Sequence, residues 1–218
     1  MMTFLIIGAG QAAYAAINEL ERLEFSGQIV LVGEEAHLPY ERPPLSKDVL
    51  LNSPQLEELL FKTAEHYSNL NIEVLLKTQV TALDALNKNA TLSNGVVINF
   101  DKCLIATGAS PRYLDELPSD SPFVHYFRTW DDAIRFKNIL SPTTRLGIIG
   151  AGFLGLELAS SAKEKGCQVH VFERSDRLLP RHAPSVLSDW LNTQALAKDI
   201  LIHKQVSELT PKLKSNGV

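Results

Sequence analysis

Residues 146–173 read LGIIGAGFLGLELASSAKEKGCQVHVFE, and the order of their apolar runs and glycines decides the fold. The apolar run Leu146–Ile149 predicts a buried strand, and the glycines of Gly150–Gly155 predict a tight turn. A helix is expected to follow as far as Lys165, and Gln168–Phe172 predicts the next strand. Strand, glycine turn, helix and strand in this order make one βαβ unit.

The same pattern opens the chain, where residues 3–34 read TFLIIGAGQAAYAAINELERLEFSGQIVLVGE. The predicted elements are a strand at Thr3–Ile7, a glycine turn at Gly8–Ala13, a helix to Leu23 and a strand at Gln28–Val32. Two copies of one supersecondary unit, about 140 residues apart, predict a chain built from two dinucleotide-binding units.

Smaller elements are predicted between and after the two copies. The proline-rich stretch 36–47 excludes a regular helix, and Asn94-Gly95 predicts a tight turn in an antiparallel meander over Val80–Phe100. The remaining predictions are a helix from an N-cap at Ser53 to Leu60, a strand at Cys103–Ala106, a helix at Thr129–Leu140, and a helix with up to two strands over 184–218. The predicted fold class is therefore α/β, with two Rossmann-like βαβ dinucleotide-binding units, parallel sheets and a small antiparallel β-meander.

The composition is that of a soluble globular protein, with 218 residues, 45% of them hydrophobic, and a formal net charge of -4. This acidic balance argues against a nucleic-acid partner, and no run approaches the roughly 20 apolar residues that span a membrane. Cys103 and Cys167 lie in apolar contexts, where small buried hydrophobes are expected, and few thiols favour a reducing, cytoplasmic setting. The six histidines form no spaced metal-ligand pair with a cysteine, so no metal is expected.

The first glycine turn, Gly8–Ala13, fits G-x-G-x-x-A. The first glycine permits the tight turn, the second lets the backbone approach a pyrophosphate, and the small third position lets the helix pack on the strand. The N-terminus of the helix attracts phosphate, and Glu34 is placed to accept hydrogen bonds from the adenosine ribose. A glycine turn of purely structural use is the alternative.

The second turn, Gly150–Gly155, is a complete G-x-G-x-x-G, with Glu173 at the end of the next strand. A carboxylate there hydrogen-bonds a ribose 2′-hydroxyl and repels a 2′-phosphate, which favours NAD over NADP. Arg174 beside it leaves NADP open. Two dinucleotide sites in one chain indicate an electron donor and an electron acceptor.

Three segments together carry a resemblance to a known family: HLPYERPPLSK at 37–47, ATGASPR at 106–112 and GAGFLGLE at 150–157. They resemble the pyridine nucleotide-disulfide oxidoreductase superfamily. More narrowly, they are similar to its ferredoxin-reductase branch, the flavoproteins that feed aromatic-ring dioxygenases, cytochrome monooxygenases and rubredoxins. The resemblance covers the whole chain.

The resemblance implies two cofactors, FAD and NAD. The residues implied to contact FAD are Gly8, Gly10, Ala12, Ala13, Glu34, Arg42, Lys47, Val80, Thr107, Gly108 and Arg128. Those implied to contact NAD are Gly150, Gly152, Phe153, Leu154, Gly155, Glu157, Glu173 and Arg181. For Lys47 the alternative is a solvated surface lysine, for Val80 a plain strand residue, and for Arg181 an ordinary loop cation.

The same resemblance implies that Lys47 and Glu157 are the catalytic residues, meeting at the flavin edge where Glu157 orients the nicotinamide. The alternative for Glu157 is a favourable interaction with the helix N-terminus, worth about 0.3–1 kcal/mol. Disulfide reductases of the superfamily carry a redox cysteine pair after the FAD loop, but Ser46 and Lys47 stand here and no cysteine precedes Cys103. Without a thiolate there is no disulfide relay, so the flavin is expected to pass electrons directly to a ferredoxin-type acceptor.

The expected organisation is a first part of an FAD-binding domain at 1–112 and an incomplete NAD-binding domain at 113–218. In the family the chain then returns to complete the FAD domain and adds a C-terminal interface domain. We therefore expect this chain to hold FAD weakly or not at all, and flavin retained at near-full occupancy through gel filtration would contradict that. The alternatives to an NADH-dependent FAD reductase are a nucleotide-binding module without reductase activity and a protein like apoptosis-inducing factor.

Overall fold

The computed structural model describes residues 1–208. The chain forms two compact units, neither of them continuous in sequence. The first unit consists of Met1–Glu41 and Gln55–Ser110, and the second of Arg42–Pro54 and the residues from Pro111 onward. The inserted segment Arg42–Pro54 therefore belongs to the second unit, although it lies within the residues expected to form a first domain.

The strands of the described residues are β1 (Thr3–Ile7), β2 (Gln28–Val32), β3 (Ile72–Leu75), β4 (Val80–Asp84), β5 (Asn89–Leu92), β6 (Val97–Asn99), β7 (Lys102–Ile105), β8 (Arg145–Ile149), β9 (Gln168–Phe172) and β10 (Ile200–His203). The helices are α1 (Gln11–Arg22), α2 (Asp48–Leu51), α3 (Ala64–Asn69), α4 (Trp130–Ile139), α5 (Phe153–Glu164) and α6 (Ser185–Ala197). Short 3₁₀ turns lie at Pro43–Ser46 and Leu56–Leu59.

The first unit is a parallel sheet in the order β3-β2-β1-β7, covered on both faces. Successive side chains of a strand point to opposite faces, so each strand supplies both layers of the core. Ile6 and Leu31 pack with Ile17 of α1 on one face. Leu5 and its neighbours pack on the other face with Leu92 of the antiparallel sheet β4-β5-β6.

The second unit is a parallel sheet in the order β10-β9-β8. Val169 and Val171 of β9 are fully buried in a core with Leu158 of α5. Leu50 of the inserted segment is part of the same core. The insertion is thus anchored in this unit by a buried apolar side chain.

The local sequence explains where the helices start. Thr129 caps α4 by accepting a hydrogen bond from the N–H of Asp132, whose carboxylate accepts from the N–H of Thr129 in return. This reciprocal capping box satisfies two backbone donors that the helix leaves without a partner. Thr63 caps α3 with its hydroxyl in the same way, at the N–H of His66.

The predicted fold class is confirmed, and both βαβ units lie where the glycine patterns placed them. The strands β1, β2 and β9 have the predicted bounds, and the meander turns at Asn94-Gly95. The predicted N-cap at Ser53 is wrong, because Ser53 has a φ of 63° and the helical turn begins at Leu56, capped by Gln55. The sequence patterns did not predict α3 or β3.

Of the elements predicted over 184–218, α6 and β10 are present, and any strand beyond residue 208 lies outside the described residues. Along residues 1–208, no helix combines the length and the apolar character needed to cross a bilayer.

Candidate functional site

Both glycine turns are built on the same backbone frame. The N–H of Gly8 donates to the carbonyl of Val32, and the N–H of Gly150 donates to that of Phe172, each over 2.8 Å. Gly8 has a φ of 109° and Gly150 a φ of 100°, a backbone region that side-chain-bearing residues rarely adopt. The two copies of the glycine motif in the sequence therefore adopt the same backbone geometry.

Close packing around the turns explains which small residues are required. A methyl group at Gly8 would overlap the carbonyl oxygen of Ala106, which follows β7. A methyl group at Gly155 would overlap the carbonyl oxygen of Gly150, whereas the first turn accommodates the fully buried Ala13 at the equivalent position. The small residue at the third position of each motif thus lets the helix pack closely on its turn, as predicted from the sequence.

The outer sides of both turns are open. Apart from its own residue and the two adjacent ones, a methyl group added at Gly10, Gly150 or Gly152 would meet no atom of residues 1–208 within 4 Å. The backbone of each turn is therefore uncovered at these positions, as the close approach of a pyrophosphate requires. If the glycine turns had only a structural use, side chains could fill the space beside them. At these positions no side chain of the described residues does.

The helices after the two turns leave their N-terminal donors to a ligand. In the described structure, Gly10 and Gly152 are the N-cap residues that precede α1 and α5, and each helix has no side-chain cap and no acidic residue in its first turn. By contrast, α3 and α4 carry a threonine cap and acidic residues in their first turns. Uncapped N–H groups and an unneutralised positive helix end favour an anion at each turn.

The two glutamates that are predicted to bind a ribose differ in how firmly their carboxylates are held. Glu34 is exposed and accepts a hydrogen bond from the amide of Gln79 over 2.6 Å. Glu173 is half-buried and accepts from the backbone N–H groups of Ala151 and Ser175, each over 2.8 Å. Burial by itself would raise the pKa of the Glu173 carboxyl, but these backbone donors hold that pKa below its ordinary value.

The other predicted contacts of the first unit lie on three different elements. Ala12 is exposed on the first turn of α1, and Thr107 and Gly108 are exposed just after β7. Val80 is half-buried and packs against the core of the meander, opposite Leu92 of β5. Its packing alone would account for a valine here, so its implied contact with FAD remains a prediction.

In the second unit the structure brings Lys47 and Glu157 together. Lys47 Nζ lies 2.9 Å from Glu157 Oε1, and both side chains are partly exposed. Arg42 Nη1 donates to the backbone carbonyl of Arg128 over 3.0 Å. Two pairs of predicted site residues that are far apart in sequence are therefore neighbours in this unit.

A loop after β9 carries Arg181, which is exposed. The loop is tied to the glycine turn because the N–H of Leu179 donates to the carbonyl of Ala151 over 3.1 Å. Arg177, which the sequence did not single out, holds the loop by donating to the carbonyls of Pro180 and Ala183 over 2.8 and 2.7 Å. Phe153, exposed at the start of α5, lies against the ring of His182.

Sequence reasoning also missed Gln79, which contacts Glu34, and the direct contact of Ser46 with Glu157. Both are interactions between distant parts of the chain, and no local pattern marks them.

Two other kinds of reactive group are the cysteines and clusters of metal-binding side chains. Both cysteines are free, and burial raises the pKa of the Cys103 thiol. Throughout the described part of the chain, no three His, Cys, Asp or Glu side chains are grouped so as to hold a metal ion.

Comparison with known proteins identifies relatives along most of the chain. The family described as "Pyridine nucleotide-disulphide oxidoreductase" matches residues 2–214. The ferredoxin–NAD(+) reductase component of the p-cumate 2,3-dioxygenase system of Pseudomonas putida is 40% identical over 188 residues, which are 86% of this chain and 46% of that protein. The corresponding component of the 3-phenylpropionate/cinnamic acid dioxygenase of Photorhabdus laumondii is 37% identical over 189 residues, 87% of this chain and 48% of that protein.

A solved structure of a covalent putidaredoxin reductase–putidaredoxin complex superposes with a TM-score of 0.94 at 28% sequence identity, covering 99% of this chain and 52% of the solved one. The chain thus spans about half the length of the curated relatives it matches.

Proposed function

We propose a function for this chain from one premise: it belongs to the pyridine nucleotide-disulphide oxidoreductase family. The function is the oxidation of NADH through FAD, with the electrons passed to a ferredoxin-type iron–sulfur protein. The observation that carries it is the pair of open glycine turns, each at the uncapped positive end of a helix. Each turn fits a pyrophosphate, so one chain offers places for two dinucleotides.

We assign FAD to the first turn and NADH to the second. In the first unit, Gly8 and Gly10 would carry the pyrophosphate and Glu34 the ribose. In the second unit, Gly150 and Gly152 would do the same, with Glu173 at the ribose. The backbone donors that fix the Glu173 carboxylate in place support a preference for NAD, because a negative charge held there repels the 2′-phosphate of NADP.

Bound FAD would supply the redox chemistry, accepting two electrons from NADH and releasing them singly. The residues of this chain would bind the two cofactors and orient them toward each other's reacting atoms. Lys47 and Glu157 would hold the reacting end of the nicotinamide, and their 2.9 Å ion pair is the charged contact available for that task. Arg181 would steady the NAD, on a loop that Arg177 fixes to the unit.

The acceptor is proposed from two observations. No cysteine precedes Cys103, so the loop before Lys47 holds no thiol that could relay electrons through a disulfide. The relatives are named as ferredoxin–NAD(+) reductase components, and the solved relative was captured with putidaredoxin. A ferredoxin-type protein is thus the acceptor we assign, in a cytoplasmic setting where thiols stay reduced.

Two measurements test this proposal. Calorimetry should detect binding of NADH and of FAD to the purified chain, with both ligands titrated to high concentration. Stopped-flow mixing of the flavin-loaded chain with NADH should then bleach the flavin. Binding of both dinucleotides without bleaching would support the alternative of a nucleotide-binding module, and absence of NADH binding would refute the proposal.

The role of Glu157 is tested in the same stopped-flow assay. Glu157→Gln should slow the bleaching, whereas Glu164→Gln, an exposed change on the same helix, should leave the rate unaltered. An unchanged rate in Glu157→Gln would remove this residue from the reacting end.

A further inference from the structure

One face of α5 presents three polar side chains to the inserted segment Arg42–Pro54. Glu157, Ser161 and Lys165, the residue just after the helix, follow one another at intervals of four and therefore share a face. Ser161 Oγ donates to the carbonyl of Ser46 over 2.7 Å, and Lys165 Nζ donates to the carbonyl of Leu51 over 2.8 Å. Two of the three side chains thus fasten the backbone of the segment.

The third side chain, Glu157, bridges two side chains of the segment. Its Oε2 accepts from Ser46 Oγ over 2.6 Å, and its Oε1 lies 2.9 Å from Lys47 Nζ. Lys47 Nζ also donates to the carbonyl of Pro43 over 3.1 Å. Each carboxylate oxygen therefore has its own partner, one a hydroxyl and one an ammonium.

The two partners of Glu157 differ in burial. Ser46 is 3% exposed, whereas the side chain of Lys47 is 50% exposed. An exposed ion pair alone fixes geometry weakly, because solvent screens it and both long side chains lose rotamer freedom. A short hydrogen bond from a buried hydroxyl to a carboxylate is stronger and better defined. The firm contact of Glu157 is therefore the one to Ser46.

We propose that Ser46 is a positioning residue that fixes the Glu157 carboxylate so that its other oxygen holds Lys47. The proposal rests on the proposed function, in which Lys47 and Glu157 act at the nicotinamide. Ser46 itself touches neither cofactor in this scheme. Its carbonyl, held by Ser161, sets the place of its hydroxyl, and the hydroxyl prevents the carboxylate from rotating away from the lysine.

The test measures how well Lys47 is protected from acylation in this chain, without flavin or NADH. Acetic anhydride must reach the amine nitrogen, so a lysine whose Nζ is held against a carboxylate and a backbone carbonyl reacts more slowly than one that moves freely in solvent. Modification of Lys47 is quantified by mass spectrometry relative to Lys198, which is exposed. Ser46→Ala should raise the relative rate at Lys47 about two- to five-fold, the range that an exposed ion pair can provide.

Three further variants complete the test. Glu157→Gln sets the fully unprotected rate. Ser161→Ala removes the hydrogen bond to the Ser46 backbone but leaves Glu157 its hydroxyl partner, so a smaller rise is expected at Lys47. Ser46→Thr keeps a hydroxyl and should retain the protection.

Two results would overturn the proposal. One is an unchanged Lys47 rate in Ser46→Ala. The other is an equal rise in Ser46→Ala and Ser161→Ala, which would show that docking of the segment alone protects the lysine. Because no cofactor is present, either result leaves the proposed reductase function untouched, and failure of that function leaves the labelling result standing.

Discussion

The carboxylate of Glu173 accepts a hydrogen bond from the backbone N–H of Ala151, inside the glycine turn that precedes α5, over 2.8 Å. Glu173, the residue proposed to bind the ribose, therefore also holds the turn that would bind the pyrophosphate. Ala151 is fully buried, so this N–H depends on the carboxylate for its partner.

Removal of this carboxylate should destabilise the second unit. We expect Glu173→Ala to lower the free energy of unfolding by about 1–3 kcal/mol, the cost of a buried backbone donor left unsatisfied. Urea denaturation followed by circular dichroism measures the change, with Glu164→Ala as the control on an exposed helix position. Equal stability of the two variants would show that the contact with Ala151 does not hold the turn.

The lowered pKa of Glu173 also predicts a pH dependence. A carboxyl whose pKa falls below its ordinary value of 4.5 on folding stabilises the protein at pH values above that value, and the contribution is lost as the pH falls below it. The stability difference between the natural chain and Glu173→Gln should therefore shrink as the pH is lowered from 6 towards 3, as urea denaturation at each pH would show. A difference that stays constant across this range would mean that Glu173 has no lowered pKa.

Gly155 lies on the closed side of the second turn and Gly152 on its open side, so we expect their substitutions to affect different properties, stability and NADH affinity. Gly155→Ala should destabilise the protein by about 1–3 kcal/mol, because its methyl group would overlap the carbonyl of Gly150 and force the helix to shift. Gly152→Ala should fold nearly normally but lose at least about ten-fold in NADH affinity, since its methyl group projects where a pyrophosphate would approach. Thermal unfolding and calorimetry measure the two effects, and full NADH affinity in Gly152→Ala would contradict the assignment of the turn.

The elements that the sequence predicted well are those with a local cause. The β1 and β9 strands and both glycine turns follow from apolar runs and from backbone conformations that favour glycine, and these signals lie within a few residues. The Ser53 prediction failed because Ser53 adopts a left-handed backbone conformation and the helical turn starts only after Gln55. Gln55 and Glu58 cap each other's backbone, a pattern readable as a capping box once glutamine is allowed at its first position.

The candidate site could be predicted only in part, because much of it depends on contacts between distant residues. Lys47 and Glu157 were paired by resemblance to a family, since no spacing rule connects two residues so far apart. Nothing local shows that Arg42–Pro54 joins the second unit, or that Ser46 contacts Glu157, 111 positions away. Such contacts arise from packing of the whole unit, which single-sequence patterns do not encode.

Two buried tyrosines of the first unit should respond in opposite ways to loss of the hydroxyl. Among residues 1–208, Tyr67 Oη has no hydrogen-bond partner, and burial raises its pKa to about 12. Tyr40 Oη donates to Glu35 Oε2 over 2.6 Å. Tyr67→Phe should therefore be neutral or stabilise the protein by up to about 1 kcal/mol, whereas Tyr40→Phe should cost about 1–3 kcal/mol. Denaturant unfolding compares them, and a marked loss of stability in Tyr67→Phe would reveal a partner for its hydroxyl.

Arg177 contacts no cofactor in the proposed scheme but holds the loop of Arg181 through two backbone carbonyls. Arg177→Ala should free this loop and reduce NADH affinity about three- to ten-fold, because ordering the loop would then be part of the cost of binding. Arg145→Ala is the matched control, since Arg145 is exposed at the start of β8 in the same unit. Calorimetry measures both affinities, and double substitution with Arg181→Ala locates the effect. If Arg177 acts through Arg181, its removal should cost little affinity once Arg181 is already gone, and fully additive losses would show that the loop affects binding by another route.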